Sequence, residues 1–284
     1  MPVDQPSTAD PACHSSWQAQ LELGFSRAGG RAVLGHSRHT GPLRVQRPFY
    51  PEGALAHLYI LHPPGGVVGG DQLEISLCVE DGAQVLCTTP GSGKFYLSAG
   101  QVARLEQQLR IKRGCSLEWL PQENILFAGA RLHSATCIEL ENDAVFIGWD
   151  ITCLGRPANA ERFEHGSLGS RLTLFHNGEP LLVENQRVLG KQQLDAAAGL
   201  RGQPVQGILL AFPCTAEHLD AVRDALARQP APHWIAATLM EGLLVVRALG
   251  GDSETLKQTL IVVWQTLRPG LLARPAVAPR IWAT

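Results

Sequence analysis

The chain has 284 residues, 45% apolar and 18% charged, a balance that fits one large folded core or two ordinary ones and argues against intrinsic disorder. Its 24 basic and 26 acidic residues are interspersed and leave a formal charge of -2, so no broad field draws it to nucleic acid or an anionic membrane. Apolar runs such as LIVVW, Leu260 to Trp264, fall far short of the roughly 20 residues of a membrane helix, and MPVDQPSTADPACHSS lacks the apolar stretch of a secretion signal, so a cytoplasmic location is expected.

In chain order, the first unusual stretch is HPPGGVVGGD, His62 to Asp71. Pro63 and Pro64 stiffen its start, while Gly65, Gly66, Gly69 and Gly70 permit positive φ or close backbone approach. Asp71 can cap a turn or project its carboxylate toward an internal polar passage. Short extended segments follow: LEISLCV, AQVLCTT, QVARLEQQLRIKRG, CSLEWL, ATCIEL, AVFIGWDI, RLTLF and PLLVENQRVL. Turn signals at Asp81-Gly82, Arg113-Gly114, Asn142-Asp143 and Asn177-Gly178 recur about every 30 residues, without the side-chain signature of a repeat. This spacing predicts stacked hairpins or mixed sheets in an elongated, mainly β body.

Near residue 211 the pattern changes. TAEHLDAVRDALARQ places Leu219, Val222 and Leu226 at helical spacing behind Thr215, and SETLKQTLIVVWQTL places Leu256, Leu260, Val263 and Leu267 on one stripe behind Asp252 or Ser253. HWIAATL and GLLVVRAL read as strands between them. Residues 211–272 therefore form a small C-terminal α+β element with two helices, the second ending at Pro269 and Gly270. Its stripe LKQTLIVVWQTLRPG fits either internal core or part of a partner interface.

No segment supplies an evident catalytic set. TTPGSGKFY imitates a Walker loop, but Thr88 replaces the first glycine and Phe95 the hydroxyl residue, so nucleotide binding is not expected. There is no Gly-x-Ser-x-Gly elbow. The seven cysteines show no Cys-x-x-Cys spacing, and no His-Glu-x-x-His occurs, so no locally encoded metal site or tightly bound cofactor is expected.

Five segments in order, HPPGGVVGGD, TTPGSGKFY, LEWLPQENILFAGA, IGWDITCLGRPANAERF and WQTLRPGLLARPAVAPRIWAT, together resemble the urease accessory family called UreD, or UreH in some bacteria. The usual second motif is closer to TTPAATKFYRS, so Gly91, Ser92, Gly93 and Leu97 depart from it. The resemblance covers about Leu21 to Thr284 and implies a non-enzymatic maturation factor with a mainly β fold. It implies binding to the urease apoprotein, recruitment of UreF and through it the GTPase UreG, and help in delivering nickel. The expected organisation is a flexible segment at 1–18 and a single UreD-like domain at 19–284. The alternative is a purely structural β scaffold or adaptor that never contacts nickel.

Nickel in transit needs weak, exchangeable donors along a protected route. Within the matched motifs, Asp71, Thr88, Glu118, Glu123, Asp150 and Glu161 are polar candidates, and Glu184 is a carboxylate inside an apolar strand. A buried unpaired charge is costly, which singles out Asp150 and Glu184 alongside Asp71 as the expected metal-route residues. Structural readings stand beside them: Asp150 can pair with Arg156, and Glu184 can pair with Arg187 or face solvent by strand alternation. His62 and His133 are weaker candidates, since neither has neighbouring ligands in sequence.

Overall fold

The computed structural model describes residues 16–230 and 234–283. Cys13, His233, Thr284 and all but the last three residues of segment 1–18 lie outside them. The strands begin with β1 (Gln18–Ala28), β2 (Arg31–Thr40), β3 (Arg44–Val45), β4 (Ala56–Leu61), β5 (Gln72–Val79), β6 (Gln84–Thr88), β7 (Gly93–Phe95), β8 (Ala103–Ile111) and β9 (Ser116–Leu120). Next come β10 (Asn124–Leu126), β11 (Arg131–Leu140), β12 (Val145–Arg156), β13 (Glu161–Arg162), β14 (Ser167–His176) and β15 (Glu179–Leu189). The remainder is α1 (Gly190–Asp195), β16 (Val205–Phe212), α2 (Ala216–Ala227), β17 (Trp234–Met240), β18 (Leu243–Gly250) and α3 (Ser253–Leu272).

Two mixed sheets make an elongated body. Sheet one has the order β15-β14-β11-β8-β5-β1-β2, and sheet two runs β17-β18-β16-β12-β9-β6-β4-β3, with β7, β10 and β13 attached at β12 and β10. The pairs β5/β8, β8/β11 and β11/β14 are parallel, as are β4/β6, β6/β9 and β9/β12. The chain thus alternates between the sheets as stacked coils. Three of the four turn signals are corners that carry it from one sheet to the other; only Asn177-Gly178 closes a hairpin. Corners and hairpins alike call for positive φ, met here by Asp81 at 56° and Asn142 at 52°. The corners also bond to each other: Gly114 N donates to Asp143 Oδ1 at 2.9 Å, and Asn142 N to Asn177 Oδ1 at 2.7 Å.

Sheet two buries both faces. Phe146, Leu154, Leu210, Phe212, Leu243 and Val245 face sheet one, whereas Ile147, Trp149, Ile151, Leu209, Leu244 and Val246 pack with the helices. The α3 stripe Leu256, Leu260, Val263 and Leu267 is fully buried in this second layer, so it is core rather than a partner surface. Both helix starts match expectation: Thr215 and His218 form a reciprocal cap, and Asp252 accepts from Thr255 N at 2.7 Å. The expected stop at Pro269 is corrected, because α3 continues to Leu272 and ends at Ala273 with φ of 51°. Proline there forfeits one ladder bond close to the helix end, where packing holds the last turn. Helix α1 and the β1–β2 hairpin, whose Gly29 and Gly30 both have positive φ, add to the elements expected.

Arg268 anchors α3. Its guanidinium is fully buried and donates to Glu118 Oε2 at 2.9 Å, Glu118 Oε1 at 3.0 Å, and Glu52 Oε2 and Oε1 at 2.7 and 2.8 Å. His57 Nε2 also meets Glu52 at 2.8 Å, and Trp264 Nε1 donates to Glu118 at 2.6 Å. The network joins α3 to the strands and to the loop before β4. Removing one member strands buried charge, so Arg268→Ala is expected to cost about 3–5 kcal/mol in urea unfolding, against under ~1 kcal/mol for truncating an exposed ion pair. A loss of the exposed-pair size would contradict the anchoring role.

Candidate functional site

The site lies between the sheets, and strand register assembles it. On sheet one, Gln107, Thr136, Leu172 and Glu184 are cross-strand neighbours in one row. On sheet two, Asp150, Ile208 and Arg247 form another. Thr136, Leu172, Glu184, Asp150, Ile208 and Arg247 all line one cavity of about 400 Å³. A second cavity, of about 520 Å³, adjoins it and shares Thr136, Asp150, Leu172 and Ile208. Its lining extends through Trp119 and Phe146 to Pro63, Gly65, Pro90 and Lys94. Gly148 helps keep this space open, since a Cβ there would collide with the Phe146 ring.

Asp150 stands where the cavities meet. It lies on the face of β12 turned to sheet one, among apolar neighbours, and what accessible surface it keeps opens into the cavities. Thr152 Oγ1 donates to its Oδ1 at 3.3 Å, and no cationic side chain pairs with it among the described residues. Burial pushes the carboxyl above its usual range, with Thr152 opposing. The expected partner Arg156 is engaged elsewhere, bonded to Glu161 and stacked on the Phe127 ring at 4.5 Å.

Glu184 lies on the inward face with Leu182 and Val188, so alternation turns it toward the cavity rather than away. It pairs not with Arg187 but with Arg247, across the gap between the sheets. Gln186 and Gln206 bridge the same gap through reciprocal amide bonds of 2.5 and 2.6 Å. Asp71 is placed apart. It is buried, lines neither cavity, and accepts from Trp17 N and Val68 N, each at 2.9 Å. The glycines beside it allow close contact: Gly66 and Gly69 pack where a Cβ would strike Tyr96 and Ser98, and Gly70 has φ of 95°.

The remaining candidates are mostly occupied. Thr88 donates to Leu120 O at 2.6 Å and accepts from Trp282 at 2.9 Å; Glu118 belongs to the Arg268 network; Glu123 accepts from Ser92 at 2.8 Å. His62 lines the larger cavity, whereas His133 lies in a separate open groove. Lys94 is exposed on β7, which pairs with β10 and is followed by strand rather than helix. Among the described residues, no three or more His, Cys, Asp or Glu side chains converge on a metal position. No helix among them is long and apolar enough to cross a membrane.

The sequence pattern of the family described as UreD urease accessory protein matches residues 18–283. The chain belongs to the UreD family. It is 46% identical over 275 residues to the urease accessory protein UreD of Alcanivorax borkumensis, covering 95% of this chain and 94% of that one. It is 45% identical over 274 residues to UreD of Klebsiella aerogenes, with 96% and 99% covered, and 45% identical over 270 residues to UreD of Pseudomonas putida strain W619, with 95% of each covered. Membership makes the chain an accessory factor in urease maturation rather than a catalyst.

Two members of the polar set, Arg247 and Thr136, were not among the sequence candidates. A lone arginine inside GLLVVRAL gives the same kind of signal as a lone glutamate inside PLLVENQRVL. Burial favours the protonated Asp150 carboxyl more in the folded protein than in the unfolded chain. The folded state consequently binds extra protons between the two pKa values and loses stability as pH rises through that window. Asp150→Asn is expected to melt higher than the parent at neutral pH, with the gap closing below the ordinary carboxylate range. Paired melts at acid and neutral pH check this; a variant that melts lower at neutral pH would contradict it.

Proposed function

We propose that this UreD-family chain binds immature urease in the cytoplasm, recruits UreF-like and through it UreG-like partners, and assists nickel delivery by way of the space between its sheets. The observation that carries the nickel reading is Asp150, a carboxylate with no cationic partner among the described residues, at the junction of two adjoining cavities. A lone carboxylate attracts a divalent cation yet supplies too few donors to retain it, which suits transfer rather than storage. The larger cavity admits a cation with part of its water shell. Glu184 supplies a second oxygen-donor position on the opposite sheet. Nickel is cargo here, with no resident metal required.

Asp71 has a different place in this reading. With both carboxylate oxygens accepting from backbone amides, it holds the glycine-rich loop against Trp17 and takes part in the route only indirectly. Asp150→Asn with Glu184→Gln nearly preserves shape while removing the charge that attracts Ni²⁺. Co-expression with UreF, UreG and urease should recover an assembled complex whose urease contains several-fold less nickel per site when nickel is limiting. Full nickel content in an intact complex would defeat the transit reading. Loss of the complex itself would favour the scaffold alternative.

A further inference from the structure

Resting on that proposed route, a second question concerns what keeps its far end from trapping the cargo. Asp150 and Arg247 are two strands apart in one row of sheet two, and Thr136 and Glu184 are two strands apart in the facing row of sheet one. At about 4.8 Å per strand, Asp150 and Glu184 lie on different stations rather than around one ion. Among the described residues no cation pairs with Asp150, whereas Glu184 is engaged by the Arg247 guanidinium across the gap.

We infer that Arg247 is a displaceable internal counter-cation: it occupies Glu184 when the passage is empty and yields to a divalent cation arriving from Asp150. Such competition lowers the affinity of the second station and speeds release. It also explains why a charged pair spans the sheets at a cavity wall, where Gln186 and Gln206 already supply a neutral bridge. The pair is partly solvated, with side-chain exposures of 46% and 34%, which keeps the exchange inexpensive. The arginine is a positioning residue, acting on cargo through Glu184 without coordinating it.

The probe is Ni²⁺ bound to the full chain, co-purified with its partner where required for solubility, with release followed by transfer to a chromophoric chelator. Arg247→Gln should bind Ni²⁺ about fivefold more tightly and release it correspondingly more slowly, the scale of a partly exposed ion pair. Arg247→Lys, which retains the charge, should stay near the parent and serve as the folded control. Adding Glu184→Gln to Arg247→Gln should abolish the gain. Parent-like affinity and release in Arg247→Gln, with weaker binding in Glu184→Gln, would overturn the counter-cation role while leaving the route standing. Unchanged affinity in both Asp150→Asn and Glu184→Gln would remove the route reading and this inference together.

Discussion

Sheet two buries both faces, and the unequal filling of those faces governs the molecule. On the helix side, Trp264, Leu260 and Val263 fill the space against Trp149, Ile151 and Leu209. On the opposite side, Phe146, Leu154 and Leu210 meet sheet one at the same time as Gly148, Asp150 and Thr152 leave room. A carboxylate in that gap is costly because it loses water and gains no cation among the described residues. The cost is tolerable only if the surrounding layers hold their positions. Arg268 serves that end by binding Glu118 and Glu52 together behind sheet two, with every donor directed at an acceptor.

The two charge systems work in opposite ways. Around Arg268, both carboxylates are engaged and the packing is closed, which fits a fixed anchor. Burial still pushes the Glu118 carboxyl upward against the pull of the guanidinium, while Arg268 and His57 together bring Glu52 down despite its own burial. Between the sheets, Asp150 has one hydroxyl partner and Glu184 one partly solvated arginine. Incomplete pairing beside open volume is what an exchangeable cation would require. It is also a stability sacrifice of the kind expected at functional rather than structural positions.

Much of this was legible in sequence, and the failures share one physical cause. The strand alternation, the helix caps and the regular spacing of turns are local signals, and each appears in the fold. Positive φ at Asp81 or Asn142, however, serves a corner as well as a hairpin, and only pairing between distant strands separates the two. The same holds for charge partners. Sequence proximity offered Arg156 as a partner for Asp150, and Arg187 or solvent for Glu184, but register gives the first arginine to Glu161 and brings Arg247 to Glu184 from the opposite sheet. The amphipathic α3 stripe read first as core, with a partner surface as the lesser alternative, and the complete burial of Leu256, Leu260, Val263 and Leu267 assigns it to core.

In HPPGGVVGGD, His62 to Val67 form part of the larger cavity's wall while Asp71 bonds its own loop, and on the proposed route this conspicuous motif is less informative about chemistry than the single aspartate in AVFIGWDI. The central claim is that a divalent cation occupies the gap at Asp150. Crystals of the chain with its partner, soaked in Ni²⁺ and measured at the nickel absorption edge, test it most directly. The account predicts an anomalous peak between the sheets beside the Asp150 carboxylate, absent in Asp150→Asn. Peaks confined to exposed histidines such as His36 and His39, with the gap empty, would contradict it.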